Sequence, residues 1–161
     1  GMEITSKLKW NTWEEINWRT VEFQVFKLQK RIYRASLQGD KKLVRKLQYM
    51  MVSSYYVKLL AIRKVTQENK GKKTAGIDGI KSLKPAERME LSKNLKLDGK
   101  SQPIKRVWIP KPGKKERRPL GIPTILERVK QCLLKLALEP EWEAVFEPNS
   151  YGFRPGVRFV G

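Results

Sequence analysis

Val21, Val25, Leu28, Ile32 and Ala35 recur at steps of four, three, four and three. A helix gathers that spacing into one apolar stripe, whereas a strand would scatter it over both faces. The spacing predicts a helix over residues 12–36. Gly39-Asp40 stops it, and the Asp40 carboxylate is placed to accept from first-turn amides of a second helix. There Leu43, Leu47, Met50, Ser54, Val57 and Ala61 repeat the rhythm to about Val65, with Val44, Met51 and Leu60 widening the stripe. A connection this short makes the two helices antiparallel neighbours whose stripes bury each other. Lys41, Lys42, Arg45, Lys46 and Lys58 are then left largely outward. Trp10, Trp13 and Trp18 open the first helix and are read as packing over the end of the pair, with base stacking as the alternative.

The outward face of that second helix is where the charge lies. The 161 residues carry a formal net charge of +19, and its distribution is uneven. Residues 41–73 hold ten Lys/Arg against one Asp/Glu, and residues 101–120 hold seven against one, so two blocks supply +15 of the +19. Concentrated cationic blocks are the footprint of phosphate contacts, which evenly spread charge is not. The apolar fraction of 40% suffices for a core and argues against wholesale disorder. No apolar run approaches the roughly 20 residues that cross a bilayer, and no signal peptide opens the chain. With no His and a single Cys132, a zinc site is excluded. Cys132 is read as a small core residue in a reducing compartment, which places the protein in the cytoplasm.

Helical periodicity lapses from Gln67 to Ile80, where Asn69 to Gly79 has the composition of a loop with three glycines and three lysines. Such a loop serves equally as a linker or as a clamp on a phosphate backbone. Pro85 fits the first turn of a third helix, with Met89, Leu91 and Leu95 apolar, ending near Asp98-Gly99. Ile104–Ile109 and Arg117–Ile122 flank a Pro112-Gly113 turn and are expected to form a β-hairpin. Pro103, Pro110, Pro119 and Pro123 cannot donate to a ladder, which makes it an edge ribbon. Thr124 and Glu127 form a capping box for a fourth helix carrying Val129, Leu133 and Leu136 on one face. Pro140 is expected to end or kink it, with Trp142, Val145 and Phe146 as a short apolar turn beyond. The expected class is therefore α+β, mostly helical. It would comprise an N-terminal helical extension over residues 1–66 and a second region over 67–161.

Several ordered motifs carry a family resemblance. Pro110-Lys111-Pro112, Arg118 to Thr124, Arg128, Gln131, Ala137-Leu138-Glu139-Pro140 and Tyr151 to Gly156 resemble the fingers region of group II intron reverse transcriptases, or maturases. Trp18-Arg19, Leu28 to Tyr33, Ala61 to Gln67 and Thr74 to Gly79 are similar to that family's N-terminal domain. The likeness implies a right-handed polymerase whose palm aspartates bind two metal ions, with this chain supplying the part before the palm. It implies that Lys111 and Arg118 hold the triphosphate of an incoming nucleotide. An ammonium and a guanidinium on one ribbon suit that task. It also implies that the Thr74–Gly79 loop lies on template backbone and the N-terminal helices on intron RNA. Glu127 stands where the family usually has Asp, and Val157 to Gly161 departs from the family pattern.

The expected function is RNA binding, to group II intron or template RNA, with a DNA primer-template reached only in a full-length form. The expected contacts on the helices are Lys41, Lys42, Arg45, Lys46, Lys58, Arg63 and Lys64. Lys70, Lys72, Lys73 and Thr74 would contribute from the loop, Lys105, Arg106, Lys114 and Lys115 from the ribbon, and Arg154 from the glycine-arginine loop. No catalytic residue is expected, because none of the 16 acidic residues forms a pair in an apolar strand-turn-strand setting. No cofactor is expected in this chain, and Mg2+ only in a full-length enzyme. The alternative is a free-standing RNA-binding or RNA-chaperone protein, in which the charge of the ribbon matters more than its residues.

Overall fold

The computed structural model describes residues 10–68, 83–97 and 124–146. After a 3-10 turn at Trp13–Glu15 come α1 (Trp18–Leu37), α2 (Lys41–Ser53), α3 (Tyr55–Arg63) and a π-helical turn at Lys64–Glu68. Two further helices are α4 (Pro85–Asn94) and α5 (Ile125–Phe146).

α1 starts where Asn17 caps it, its side-chain oxygen accepting from the amides of Arg19 at 3.1 Å and Thr20 at 3.2 Å. Its buried face runs Val21, Val25, Gln29, Ile32 and Ala35, with Tyr33 beside it. It ends in a Schellman arrangement. The Gly39 amide donates to Ser36 O and the Asp40 amide to Ala35 O, both at 3.0 Å, with Gly39 at a φ of 75° that disfavours any side chain. Asp40 then accepts from the Leu43 amide at 3.1 Å, so one dipeptide closes α1 and opens α2.

The single helix expected from Asp40 to about Val65 is two helices. Ser54 is extended, with φ −75° and ψ 132°, and separates α2 from α3. A serine pair at positions 53 and 54 is weak helix material, and the bend carries α3 into the interior, where Val57 and Leu59 to Ile62 are all buried. The buried side of α2 is also rotated from the expected stripe, to Val44, Leu47, Gln48, Met51 and Val52, leaving Met50 exposed. In the π turn the Thr66 hydroxyl donates to Ile62 O at 2.7 Å.

α1 and α2 do not simply bury each other. α5 packs against α1, α2 and α3 together, and its Val129, Leu133, Leu134, Ala137 and Leu138 complete the core. The capping box at its start is formed as expected. The Thr124 amide donates to Glu127 Oε1 at 3.0 Å, and the Glu127 amide donates to Thr124 Oγ1 at 3.1 Å. Pro140 does not end this helix, which runs on to Phe146. A proline has no N–H for the carbonyl four residues back, which here is Leu136. The side chain of Gln29, reaching from α1, donates to that carbonyl at 3.0 Å. Val145 and Phe146 lie exposed on the last turn and form no separate apolar unit.

α4 has Pro85 at its first position, and the Lys84 amide donates to Glu87 Oε1 at 2.7 Å. It ends at Asn94, short of Asp98-Gly99, and buries Met89, with Leu95 buried just beyond it. The tryptophans belong mainly to packing. Trp13 is buried, donates through Nε1 to Gln67 Oε1 at 3.0 Å, and meets Trp18 edge-on at 5.1 Å. Trp10 stacks on Tyr55.

The expected α+β class is corrected. The described residues form helices and no strand, because every apolar pattern in them has the helical period. The edge ribbon expected across Ile104–Ile122, on which the mixed class rested, lies outside the described residues.

Candidate nucleic-acid interface

Lys41, Lys42 and Lys46 project from the exposed side of α2. Lys41 and Lys42 occupy its first turn, which contains no acidic residue. A helix N-terminus carries partial positive charge, so each cation there costs about 0.3–1 kcal/mol relative to a neutral side chain. Asp40 offsets part of this by capping. None of the three lysines has a carboxylate partner among the described residues. Cations placed against the dipole and left unpaired suit an anion supplied from outside.

The remaining expected cations of this region have other surroundings. Arg45 is half-buried and forked onto Glu141, with Nη1 and Nη2 donating at 2.9 and 3.3 Å. It also donates to Gln48 Oε1 at 2.6 Å, and Gln48 Nε2 donates to Ala137 O at 3.1 Å and to Glu141 Oε1 at 2.9 Å. This network joins α2 to α5. Lys58 is half-buried rather than outward, and desolvation, then the charge of Lys96, pushes its pKa down. Arg63 lies 4.6 Å over the Trp18 ring and pairs with Glu68 at 3.2 Å and Glu22 at 3.7 Å. Lys64 is exposed and reaches Glu68 at 3.7 Å. The structure thus gathers Lys41, Lys42 and Lys46 at one end of α2, and ties Arg45 and Arg63 into interhelical contacts.

The expected contacts Lys70, Lys72, Lys73, Thr74, Lys105, Arg106, Lys114, Lys115 and Arg154 lie outside the described residues. So do the nucleotide-gripping pair Lys111 and Arg118.

A second cationic strip escaped the sequence reading. Arg19, Lys27, Arg31 and Arg34 are exposed on α1, and Phe23 among them is 59% exposed. Lys27 Nζ sits 5.4 Å over the Phe23 ring and Lys30 Nζ 5.5 Å over that of Phe26. The signal was legible as Phe-Lys pairs at i, i+4. It was hidden because acids elsewhere in the first forty residues bring their summed charge near neutrality.

Among the described residues no cluster of three or more His, Cys, Asp or Glu is placed to hold a metal ion. No described helix is long and apolar enough to cross a membrane.

Residues 13–95 match the family model of the N-terminal domain of reverse transcriptase, a span reaching from the 3-10 turn to the end of α4. The chain belongs to this family. Among its relatives, Maturase-like protein 1 of Euglena gracilis is 37% identical over 143 residues, covering 83% of this chain and 30% of that protein. Protein YkfC of Escherichia coli K12 is 39% identical over 98 residues, 57% of this chain and 26% of that protein. Group II intron-encoded protein LtrA of Lactococcus lactis is 40% identical over 91 residues, 54% of this chain and 15% of that protein. The chain therefore spans under a third of the length of these relatives. It corresponds to the N-terminal region of maturases of the group II intron type.

Proposed function

We propose that this reverse-transcriptase N-terminal domain binds structured RNA of the group II intron kind, through the exposed cations of α2 and α1. The observation that carries the reading is the set of Lys41, Lys42 and Lys46, unpaired among the described residues and with two of them set against a helix dipole. Evolution of a stable helix alone would favour acids in that first turn, whereas phosphate contact favours the lysines found there. The cations of α1 extend the same surface. Binding is the role proposed for this chain. Phosphoryl transfer on Mg2+ would belong to carboxylates of a longer reverse transcriptase.

The test is a salt titration of binding to a folded intron RNA domain. Each phosphate contact contributes a log–log slope of roughly 0.7–0.9, so removing three lysines lowers the slope by about 2–3. The triple variant Lys41→Gln, Lys42→Gln, Lys46→Gln is expected to show that reduction with a melting temperature at or slightly above the parent's, because two of the lysines oppose the helix dipole. A salt-independent affinity in the parent protein, or an unchanged slope in the variant, would overturn the proposal.

A further inference from the structure

α1 carries two Phe-Lys pairs spaced four residues apart, Phe23 with Lys27 and Phe26 with Lys30. Residues at that spacing are neighbours on one helix face, and the later side chain leans back over the earlier one. Each ammonium accordingly sits over its ring, Lys27 Nζ at 5.4 Å from the Phe23 centroid and Lys30 Nζ at 5.5 Å from that of Phe26. Phe26 packs against Tyr33 and Ala144, whereas Phe23 is mostly exposed and adds little to the core. Arg31 and Arg34 are exposed further along, and positions 27, 30, 31 and 34 follow the i, i+3, i+4, i+7 spacing of one helical stripe. None of these four cations has a carboxylate partner among the described residues. The one acid of α1, Glu22, is directed to Arg63 at 3.7 Å. Phe23 and Phe26 also line a cavity of about 750 Å3 between α1, α3, the π turn and α5. Glu22 and Glu139 line it together with Arg19, Lys64 and Lys135, so its mixed charge selects no anion.

From the stripe we propose that Phe23 and Phe26 are positioning residues for RNA binding: each ring holds its lysine in line with Arg31 and Arg34, so that the four cations meet RNA phosphates as one row. The proposal rests on the RNA-binding reading above and adds what orders that surface. A lysine on an open helix face has many rotamers and gives up that freedom when it grips a phosphate. A ring one turn earlier removes part of the freedom before RNA arrives. It does so without neutralising the charge, which a glutamate at the same spacing would do. The ring covers one side of the ammonium, and the three N–H donors cannot all face it. A phosphate can therefore bind from the open side while the ring contact stays in place. The phenyl groups act through the lysines and not by stacking on bases.

The test is a double-mutant cycle on the whole chain, read as affinity for the folded intron RNA domain used in the salt titration. Phe23→Leu removes an exposed ring and no charge. It should weaken binding about two- to fivefold, the fold-change equivalent of a cation–π contact at an exposed site. Phe23→Trp, whose ring attracts a cation best, should bind at least as tightly as the parent. In a Lys27→Gln background the lysine to be positioned is gone, and Phe23→Leu should then leave affinity unchanged. A ring stacked on a base would keep its cost in that background. Phe26→Leu with Lys30→Gln forms the same cycle for the second pair, with urea unfolding measured alongside because Phe26 is partly buried. Parent-like binding by Phe23→Leu, or an equal cost with and without Lys27, would overturn the proposal. In either outcome salt-dependent binding of structured RNA would still stand. Loss of all salt-dependent RNA binding in the parent protein would overturn both.

Discussion

Removing the amide of Gln29 tests how α5 tolerates a proline in its interior. Gln29 is 1% exposed, and its Nε2 donates at 3.0 Å to the Leu136 carbonyl, the group that Pro140 deprives of its helical partner. Gln29→Leu keeps most of the volume and deletes the donor. A buried acceptor left unsatisfied costs about 1–3 kcal/mol. At roughly 2–4 °C per kcal/mol for a chain of this size, a loss of about 2 kcal/mol lowers the melting temperature by about 4–8 °C. The decisive measurement is the same substitution in a Pro140→Ala background. There the new amide at position 140 can close the ordinary helical bond onto Leu136, so the carbonyl keeps a partner and Gln29→Leu costs less. A coupling of at least about 1 kcal/mol in a double-mutant cycle, from urea unfolding of the four proteins, is expected. Equal costs in the two backgrounds, within about 0.3–0.5 kcal/mol, would refute the reasoning, because the amide would then be serving something other than the orphaned carbonyl.

Three further outcomes follow from the same structure. Arg45→Met breaks the bidentate contact to Glu141 and is expected to cost about 1–2 kcal/mol in urea unfolding, between the values for exposed and buried pairs, while the RNA salt slope holds; parent-like stability with a lowered slope would make Arg45 an RNA contact. Burial pushes the Cys132 thiol up to about 11, so its alkylation in the folded chain should rise about tenfold per pH unit between neutrality and that value, measured by mass spectrometry; a rate at neutral pH equal to that in urea would contradict it. Desolvation raises the Glu139 pKa, so the folded state holds that proton to higher pH than the unfolded chain does, and stability falls as pH rises from the unfolded value through the folded one. Glu139→Gln should therefore stabilise the fold at neutral pH and do little below the usual carboxylate range; a gain confined to acid pH would reverse that sign.

The part of this protein legible in its sequence is the part governed by neighbours along the chain. The stripe from Val21 to Ala35, the Gly39-Asp40 stop-and-start and the Thr124–Glu127 box all arise from contacts within a few residues, and each is in the structure. Long ordered motifs also identified the reverse-transcriptase family, because their combination is too specific to arise from composition. Decisions that depend on residues far apart in the chain were not legible. Ser54 breaks a rhythm that continues across it, since burial of α3 on nearly all sides outweighs one unbroken helix. Pro140 remains inside α5 because Gln29, 107 positions earlier than Leu136, supplies the hydrogen bond that the proline cannot. Arg45 looked like its lysine neighbours until Glu141 was brought beside it from α5. The cavity beside Phe23 needs three helices and the π turn to exist at all. Local sequence sets where helices can begin and end, because the groups involved are adjacent. Which cation stays free, and which buried carbonyl finds a donor, depends on packing that only the folded chain assembles.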